Sequence, residues 1–306
     1  MKVKRYWYSA AAGVLIFATV GWLFCVVPRE PVYEGRPISE WIDRLTGGVG
    51  SSAGAVSSHV LPRLLQQKPG DEIVPYLRMT LHRGTSLMDR AYAKIYFRLP
   101  AFLSRRRPAP NPARDAELRY RAGLILYYLG SQAKKALPDL VESLQDPDPE
   151  VRRISATVLG SFGADAKAAA PGLNANLVDP SPEVRRAALK ALASVETDSG
   201  AIAPRFAHLL KDPDEGVRTD AAQVLRNLGP KARAVVPELI EALGDRNEDV
   251  FRFVALALGK IGPEAREAVP ALTKALQENR AYSETTVRWA LQQIDPRALS
   301  GAAADR

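Results

Sequence analysis

Histidine and cysteine are the side chains that most often bind metals or act as nucleophiles, and this chain has few of them. The histidines are His59, His82 and His208, and the single cysteine is Cys25. None of these histidines is followed by another four residues later or by an adjacent glutamate, so the helical zinc motif does not occur. A single cysteine excludes an intramolecular disulfide and a cysteine-based metal cluster. The sequence therefore predicts no catalytic residue, no metal and no cofactor.

Phosphate-binding motifs are missing from the sequence as well. Neither G-x-x-x-x-G-K-[ST] nor G-x-G-x-x-G occurs, so a phosphate cradle is unsupported. We expect a protein that is not an enzyme and has no small-molecule substrate. An accessory enzyme, lyase-like or hydrolytic, that uses carboxylates in no recognisable pattern remains the alternative.

One set of side chains recurs at a spacing suited to binding. Pairs four residues apart repeat every 33 residues, which places each pair on one face of a predicted helix, away from its apolar face. We call this set the ridge, and its members are Tyr120, Leu124, Arg153, Thr157, Arg186, Lys190, Thr219, Gln223, Arg252 and Leu256. We predict that the ridge contacts a partner protein or peptide. A plain solvated face is the alternative interpretation.

The elements that would position the ridge follow from an internal repeat. Prolines recur at an unbroken step of 33 residues, at Pro138, Pro171, Pro204, Pro237 and Pro270. A valine column at Val151, Val184, Val217 and Val250 keeps the same step. Repetition this regular predicts a stacked array of identical structural units.

Each unit is predicted to contain two short helices. Leucine or phenylalanine recurs on the first helix at Leu140, Leu173, Phe206, Leu239 and Leu272, and leucine follows four residues later in every unit. The second helix has its own column at Leu126, Leu159, Leu192, Leu225 and Leu258. Apolar residues at helical spacing indicate one buried face per helix.

The turns around these helices carry recognisable signals. Residues with good N-cap side chains recur at Asp115, Asp148, Ser181, Asp214 and Asn247. Glycines that could close the second helices in a left-handed conformation recur at Gly130, Gly163, Gly229 and Gly262, with Glu196 at the equivalent position of the remaining unit.

The pattern P-x-L-x-x-x-L, D-P-x-x-x-V-R and A-x-x-L-G-x-x-G resembles HEAT repeats of the short bacterial kind, including those of bilin lyases, over about residues 115 to 294. Ankyrin repeats share the period, but their T-P-L-H start is absent. The resemblance implies an all-α, right-handed α-α superhelix, a HEAT-like solenoid, whose second helices line the concave side. It implies the fold but is nearly silent on function.

Acidic and basic residues six apart recur at the repeat joints, as Asp146 with Arg152, Asp179 with Arg185, and Asp212 with Arg218. Similar repeats use this spacing for a ladder of turn-to-helix hydrogen bonds. We therefore interpret these pairs as structural, and the ladder is broken where Phe251 replaces the arginine.

The net charge of +8 lies before the repeats. Residues 1–118 hold 17 Lys or Arg and 9 Asp or Glu, which leaves 25 of each (42 less 17 and 34 less 9) in residues 119–306. A neutral array gives no net field to attract a polyanion. Nucleic acid is therefore not expected as a partner, and a nucleic-acid-binding repeat protein, such as one related to the alkylpurine glycosylases, is the less favoured alternative.

The amino-terminal segment from Trp7 to Val27 contains no charged residue and spans roughly 31 Å as a helix, enough to cross a bilayer. Lys2, Lys4 and Arg5 precede it, which predicts a cytoplasmic amino terminus and a repeat array on the outer side, periplasmic in a diderm bacterium. The alternative is a cleaved signal peptide and secretion.

The predicted organisation is a signal anchor at 1–28, a short helix and flexible linker at 29–60, degenerate capping repeats at 61–114, the array at 115–296 and a disordered tail at 297–306. Helices are expected over 61–66, 73–82 and 87–99. An insertion with Arg105, Arg106 and Arg107 followed by prolines is either a basic docking loop or a solvated loop. The favoured function is a membrane-anchored scaffold or adaptor for protein–protein interaction.

Overall fold

The computed structural model describes residues 32–33, 36–37, 40, 70–98, 109–196, 199–277 and 284–298. These residues are almost entirely helical, apart from a small antiparallel pair of strands, β1 (Val32–Tyr33) and β2 (Arg36–Pro37), in which Val32 lies opposite Pro37. The predicted linker, the helix over 61–66 and the insertion at 105–107 lie outside the described residues.

Membrane crossing was also predicted for a segment that the structure does not describe, Trp7 to Val27. In the described ranges, no helix has both the length and the apolar character that a bilayer span requires.

The chain divides into two compact units, residues 1–151 and 152–306. The helices up to the boundary are α1 (Gly70–Leu81), α2 (Leu87–Ile95), α3 (Pro112–Leu129) and α4 (Leu137–Ser143), and α5 (Pro149–Ser161) begins there. The predicted helices over 73–82 and 87–99 are therefore confirmed with slightly different ends, the latter closing in a short 3-10 turn (Tyr96–Arg98). In the first unit α1 packs against α3 and α4.

The second unit continues the alternation of first and second helices. Its further helices are α6 (Ala170–Ala175), α7 (Pro182–Val195), α8 (Ser199–His208), α9 (Glu215–Leu228), α10 (Val236–Ala242), α11 (Glu248–Ile261), α12 (Val269–Gln277) and α13 (Glu284–Ile294). The second helices stack in order, with α7 against α9, α9 against α11, and α11 against α13. The chain is thus an all-α repeat structure, as predicted.

Short 3-10 segments complete the repeats. They lead into four of the first helices at Gly130–Ala136, Gly163–Ala169, Gly229–Val235 and Gly262–Ala268, and they follow first helices at Asn176–Val178 and Leu209–Lys211. The four glycines that open these segments have φ between 54° and 76°, as their positions predict, because only glycine adopts that backbone without steric cost. Glu196 takes an extended conformation instead and ends α7 differently.

The predicted apolar columns form the core. Both five-residue columns are completely buried, at Leu140, Leu173, Phe206, Leu239 and Leu272 on the first helices and at Leu126, Leu159, Leu192, Leu225 and Leu258 on the second. Burial of each such side chain contributes about 1.5–3 kcal/mol, so the columns are the main stabilising feature of the array.

The predicted N-caps are only partly confirmed. Asp148, Asp214 and Asn247 accept hydrogen bonds from backbone amides of the first turn, at 2.9 Å to 3.3 Å. Asp115 does not, because α3 begins one turn earlier, at Pro112, and Asn111 caps it by accepting from the Arg114 amide at 3.0 Å. Ser181 occupies the N-cap position of α7, but its hydroxyl donates to Glu183 at 2.8 Å.

Close helix packing at one glycine yields a testable prediction. A Cβ at Gly160 of α5 would lie 2.8 Å from the Ala191 Cα and 3.0 Å from its Cβ, so any side chain there must push α7 away. We expect Gly160→Val to lower the free energy of unfolding by about 1–3 kcal/mol. Urea denaturation measures the loss, and Ser161→Val, at the exposed next position of α5, is the control. Equal losses in the two variants would show that the contact is not tight.

Candidate protein-binding surface

The ridge residues lie on the second helices, and none of them is buried. Tyr120 and Leu124 belong to α3 of the first unit. The other eight lie in the second unit, in pairs along α5, α7, α9 and α11. The four pairs of the second unit therefore lie at equivalent, solvent-accessible positions of successive second helices. Their role in binding remains a prediction.

A buried carboxylate organises the middle of the ridge. Asp220 of α9 accepts a hydrogen bond from the Arg186 Nε at 2.7 Å and forms an ion pair with the Lys190 Nζ at 2.9 Å. Its side chain is only 7% exposed, whereas both cations are about half exposed. The hydrogen bond that Arg186 donates to Asp220 raises the pKa of Arg186, although burial acts in the opposite direction. Asp220 therefore fixes two ridge cations in place.

Two arginines lie close to one aromatic ring, Phe253, between the helices α9 and α11. The guanidinium of Arg226, in the last turn of α9, lies 5.0 Å from the centroid of the Phe253 ring, and that of Arg252 lies 5.1 Å from it. Arg252 also pairs with Asp249 at 2.6 Å. Cations held over an aromatic face are stabilised by the ring quadrupole, which orients both guanidinium groups.

The sequence prediction missed Asp220, Arg226 and Phe253. Asp220 and Phe253 occupy the same position in successive 33-residue repeats, one residue after a ridge position. The two repeats before them carry Ile154 and Ala187 at this position. The available signal was an acidic residue at a position where the units on either side carry Ile154, Ala187 and Phe253.

A tryptophan extends the ridge beyond its predicted end. Trp289 of α13 stands 33 residues after Leu256, and 36% of its surface is exposed. It packs closely on α11, because a Cβ at Gly259 would lie 2.5 Å from the Trp289 Cζ3. Leu256, one helical turn after Arg252, and Trp289 thus place two apolar side chains at equivalent positions of α11 and α13.

The acidic and basic residues at the repeat joints are paired differently from the prediction. Each arginine forms an ion pair with the aspartate 27 residues later, in the following repeat. The pairs are Arg119 with Asp146, Arg152 with Asp179, Arg185 with Asp212, and Arg218 with Asp245, at 2.6–2.8 Å. The predicted contact six residues back is made instead to a backbone carbonyl, as from Arg185 to Asp179 at 2.8 Å.

The same aspartates also close the turns that follow them. One carboxylate oxygen of each accepts a hydrogen bond from the backbone amide two residues later, at 2.7–2.9 Å. The paired side chains are at most 19% exposed. The ladder therefore joins consecutive 33-residue repeats and has a structural role, as the sequence indicated.

One ladder carboxylate leads to a pH prediction. Burial alone would raise the pKa of Asp179, but hydrogen bonds from Arg152 and the Ser181 amide, with the nearby guanidinium charges, hold it below its ordinary value of 3.8. A carboxyl group whose pKa is lower in the folded chain than in the unfolded chain stabilises the fold. This contribution is complete above the pKa of the unfolded state and is lost as the pH falls towards the pKa of the folded state. The stability difference between the native chain and Asp179→Asn should therefore shrink below about pH 4. Urea denaturation along a pH series measures this, and a constant difference would contradict it.

An aspartate and a histidine also meet in the first unit. The Asp139 carboxylate accepts from the Arg78 Nε at 2.5 Å and lies 2.9 Å from the His82 Nε2. Burial opposes ionisation of Asp139, yet these hydrogen bonds hold its pKa below the ordinary value. Within the described ranges no hydroxyl or thiol contacts this imidazole, and no cluster of three metal-binding side chains is found. The cluster ties α1 to α4.

A cavity of about 640 Å³ also lies in the first unit. Its charged lining is largely paired internally, since Arg83 bonds Asp115 at 3.0 Å and Arg119 bonds Asp146 at 2.8 Å. The ridge is therefore the better candidate for a functional surface.

Short paired helices, stacked in register and joined by a repeated ion-pair ladder, define an α-helical repeat protein. The family model of HEAT repeats matches residues 109–193, 170–235 and 202–293, which together span more than half of the chain. The chain therefore belongs to the HEAT-repeat family. No curated protein matches it significantly.

Solved structures with similar folds include an engineered protein, which is 18% identical, covers 72% of this chain and 98% of its own, and superposes with a TM-score of 0.50. The complex of CpcE and CpcF of phycocyanin lyase from a Nostoc species is 22% identical, with 72% and 94% covered and a TM-score of 0.33. The S. pombe condensin Cnd3–Cnd2 subcomplex is 20% identical, with 86% and 42% covered and a TM-score of 0.46. At 18% identity the likeness to the engineered protein concerns the fold alone.

Proposed function

We propose that this protein is a non-catalytic scaffold or adaptor that binds a partner protein through the ridge. The observation that carries the proposal is the position of eight ridge residues on one series of second helices, none of them buried, while the columns beneath are completely buried. A surface of this kind is preorganised, because Asp220 and Phe253 already hold its cations in place. Preorganisation lowers the entropic cost of binding.

Anchoring at a membrane by Trp7 to Val27 is the second part of this proposal. It is supported by the uncharged length of that segment and the basic residues before it. The full-length chain should remain in the membrane pellet after alkaline carbonate extraction, and a protease added outside the cell should reach the array after opening of any outer membrane. Release of the whole chain into the supernatant would rule out the anchor.

Photo-crosslinking tests the binding surface directly. A benzophenone amino acid at Gln223 or Leu256 should form an adduct with the partner in native membranes. The same probe at Arg205 or Glu241, on exposed positions of the first helices α8 and α10, should not form that adduct. Adducts shared by all four positions, or adducts at the first helices alone, would contradict the proposal. Absence of any ridge adduct would do so as well.

A further inference from the structure

The cluster around Phe253 contains one cation without an acidic partner. Arg226 donates to the amide oxygen of Asn227 at 3.1 Å and 3.3 Å, and in the described part of the chain it forms no ion pair. It is held over the Phe253 ring nevertheless, only partly exposed, and its neighbour Arg252 is held over the same ring. Two like charges facing one ring repel each other, and the single carboxylate of Asp249 offsets only one of them.

A guanidinium held over an aromatic ring can still donate from any N–H edge that is not already bonded. In Arg226 the Nε and one Nη donate to Asn227, so the edge formed by its two Nη groups is the one that can receive a ligand. Such an edge matches the two oxygens of a carboxylate, which is why arginine favours bidentate recognition of planar anions. An incoming carboxylate would therefore supply the acidic partner that Arg226 lacks among the described residues and would offset the second positive charge at this ring. A single exposed cation would offer neither gain.

Apolar side chains border the two arginines. Leu256 follows Arg252 by one helical turn on α11, and Trp289 of α13 packs against the same helix at Gly259. Tryptophan and arginine are the residues most enriched among energetically dominant contacts in protein interfaces. The patch thus combines an anion site with an apolar platform at its side.

The charge of this face favours an acidic ligand. Its ionisable groups are Arg153, Arg186, Lys190, Arg226 and Arg252 against Glu150, Glu183, Asp220 and Asp249, an excess of one positive charge. The array as a whole has equal numbers of acidic and basic residues, so this face is more positive than the rest.

We infer that Arg226, Arg252 and Phe253 bind a carboxylate side chain of an acidic peptide segment of the partner, and that Leu256 and Trp289 receive an apolar side chain next to it. The inference rests on the proposed function and names the chemistry of its partner. Glutamate or aspartate beside leucine or phenylalanine is the sequence pattern that fits.

Fluorescence anisotropy with defined peptides tests this with the full-length chain at about 0.15 M salt, where weak surface attraction is screened. The probe is a labelled ten-residue peptide that alternates glutamate with leucine and phenylalanine. Peptides with glutamine or lysine in place of glutamate are its controls. We expect the glutamate peptide to bind at least about tenfold more tightly than either control, and Arg226→Gln to remove most of that advantage. Arg233→Gln, at an arginine that is 69% exposed outside the ridge, should change nothing.

A spectroscopic measurement separates binding at the patch from binding elsewhere. The glutamate peptide should shift or quench the fluorescence of Trp289, and this change should vanish in Trp289→Phe. Equal affinity for the glutamate and glutamine peptides, or an unchanged affinity in Arg226→Gln, would overturn the inference. Tighter binding of a ten-nucleotide oligothymidine that displaces the peptide would overturn it in favour of nucleic acid. If the ridge crosslinks persist in Arg226→Gln while the peptide effects are missing, this inference fails and the proposed function stands.

Discussion

Replacement of Asp212 by alanine is expected to lower the free energy of unfolding by about 3–5 kcal/mol, because it breaks a buried, bidentate pair from one side. Arg185 donates to both carboxylate oxygens of Asp212, at 2.8 Å and 2.6 Å, and the Asp214 amide donates to the same group at 2.9 Å. The two side chains are 11% and 6% exposed. The substitution would leave a guanidinium without its counterion and a turn amide without its acceptor.

Urea denaturation followed by circular dichroism measures this loss, and two variants calibrate it. Glu264→Ala breaks an exposed pair with Arg233, in which the side chains are 51% and 69% exposed, and should cost less than about 1 kcal/mol. The double variant Arg185→Leu with Asp212→Leu removes both charges and should recover part of the stability. If Asp212→Ala lowers the free energy of unfolding no more than Glu264→Ala does, the ion-pair ladder does not hold consecutive repeats together as we conclude.

Truncation of Phe206 to alanine is expected to have a comparable effect, about 3–5 kcal/mol, since it opens a cavity in the core of the second unit. Phe206 is completely buried and stands in the column where every other unit has leucine. The ion-pair ladder holds the neighbouring repeats at a fixed spacing on either side. The surrounding side chains could therefore collapse into the cavity only to a limited extent.

Phe206→Leu is the matched control for this cavity. Leucine restores the residue type of the other units and should cost about 1.5 kcal/mol or less. Thermal unfolding and urea titration of the two variants provide the comparison, and hydrogen exchange would show whether the loss is confined to the neighbouring repeats. Similar losses for leucine and alanine would mean that the aromatic ring, and not the filled volume, matters at this position.

The core of the array could be predicted because burial repeats with the sequence. Leu126 and its four equivalents are all completely buried, as are Leu140 and its equivalents. The left-handed glycines were also predictable, since a positive φ strongly selects that residue type. The helix start at Pro112 was missed because the N-cap pattern of the other units suggested Asp115, whereas Asn111 and Pro112 add one turn to α3.

The partners in the ladder could not be deduced from the sequence. In a period of 33 residues, an arginine six residues after one aspartate is necessarily 27 residues before the next. Both pairings fit the pattern equally well. Only the stacking of second helices decides that the side chain of Arg152 reaches Asp179.

The sequence predicted which helix face carries the ridge, but it did not predict the contacts that join ridge residues to neighbouring helices. Spacing placed Arg186, Lys190 and Arg252 on one side of their helices, and the structure leaves them accessible. The contacts with Asp220 and Phe253 join different helices, so no spacing within one unit could indicate them. These contacts also change the design of a mutational test, because a glutamate in place of Arg186 would face the buried Asp220 and would destabilise the fold.

The central claim is that the ridge binds the partner, and one comparison tests it most directly. The variant Arg153→Glu with Arg186→Gln and Arg252→Glu is set against Lys167→Glu with Arg205→Gln and Lys231→Glu, which changes the charge equally at exposed positions outside the ridge. Both are purified from native membranes, and the protein that crosslinks at Leu256 is quantified by mass spectrometry. We expect the first variant to lose about tenfold or more of that partner and the second to retain it. Equal recovery of the partner with both variants would contradict the account.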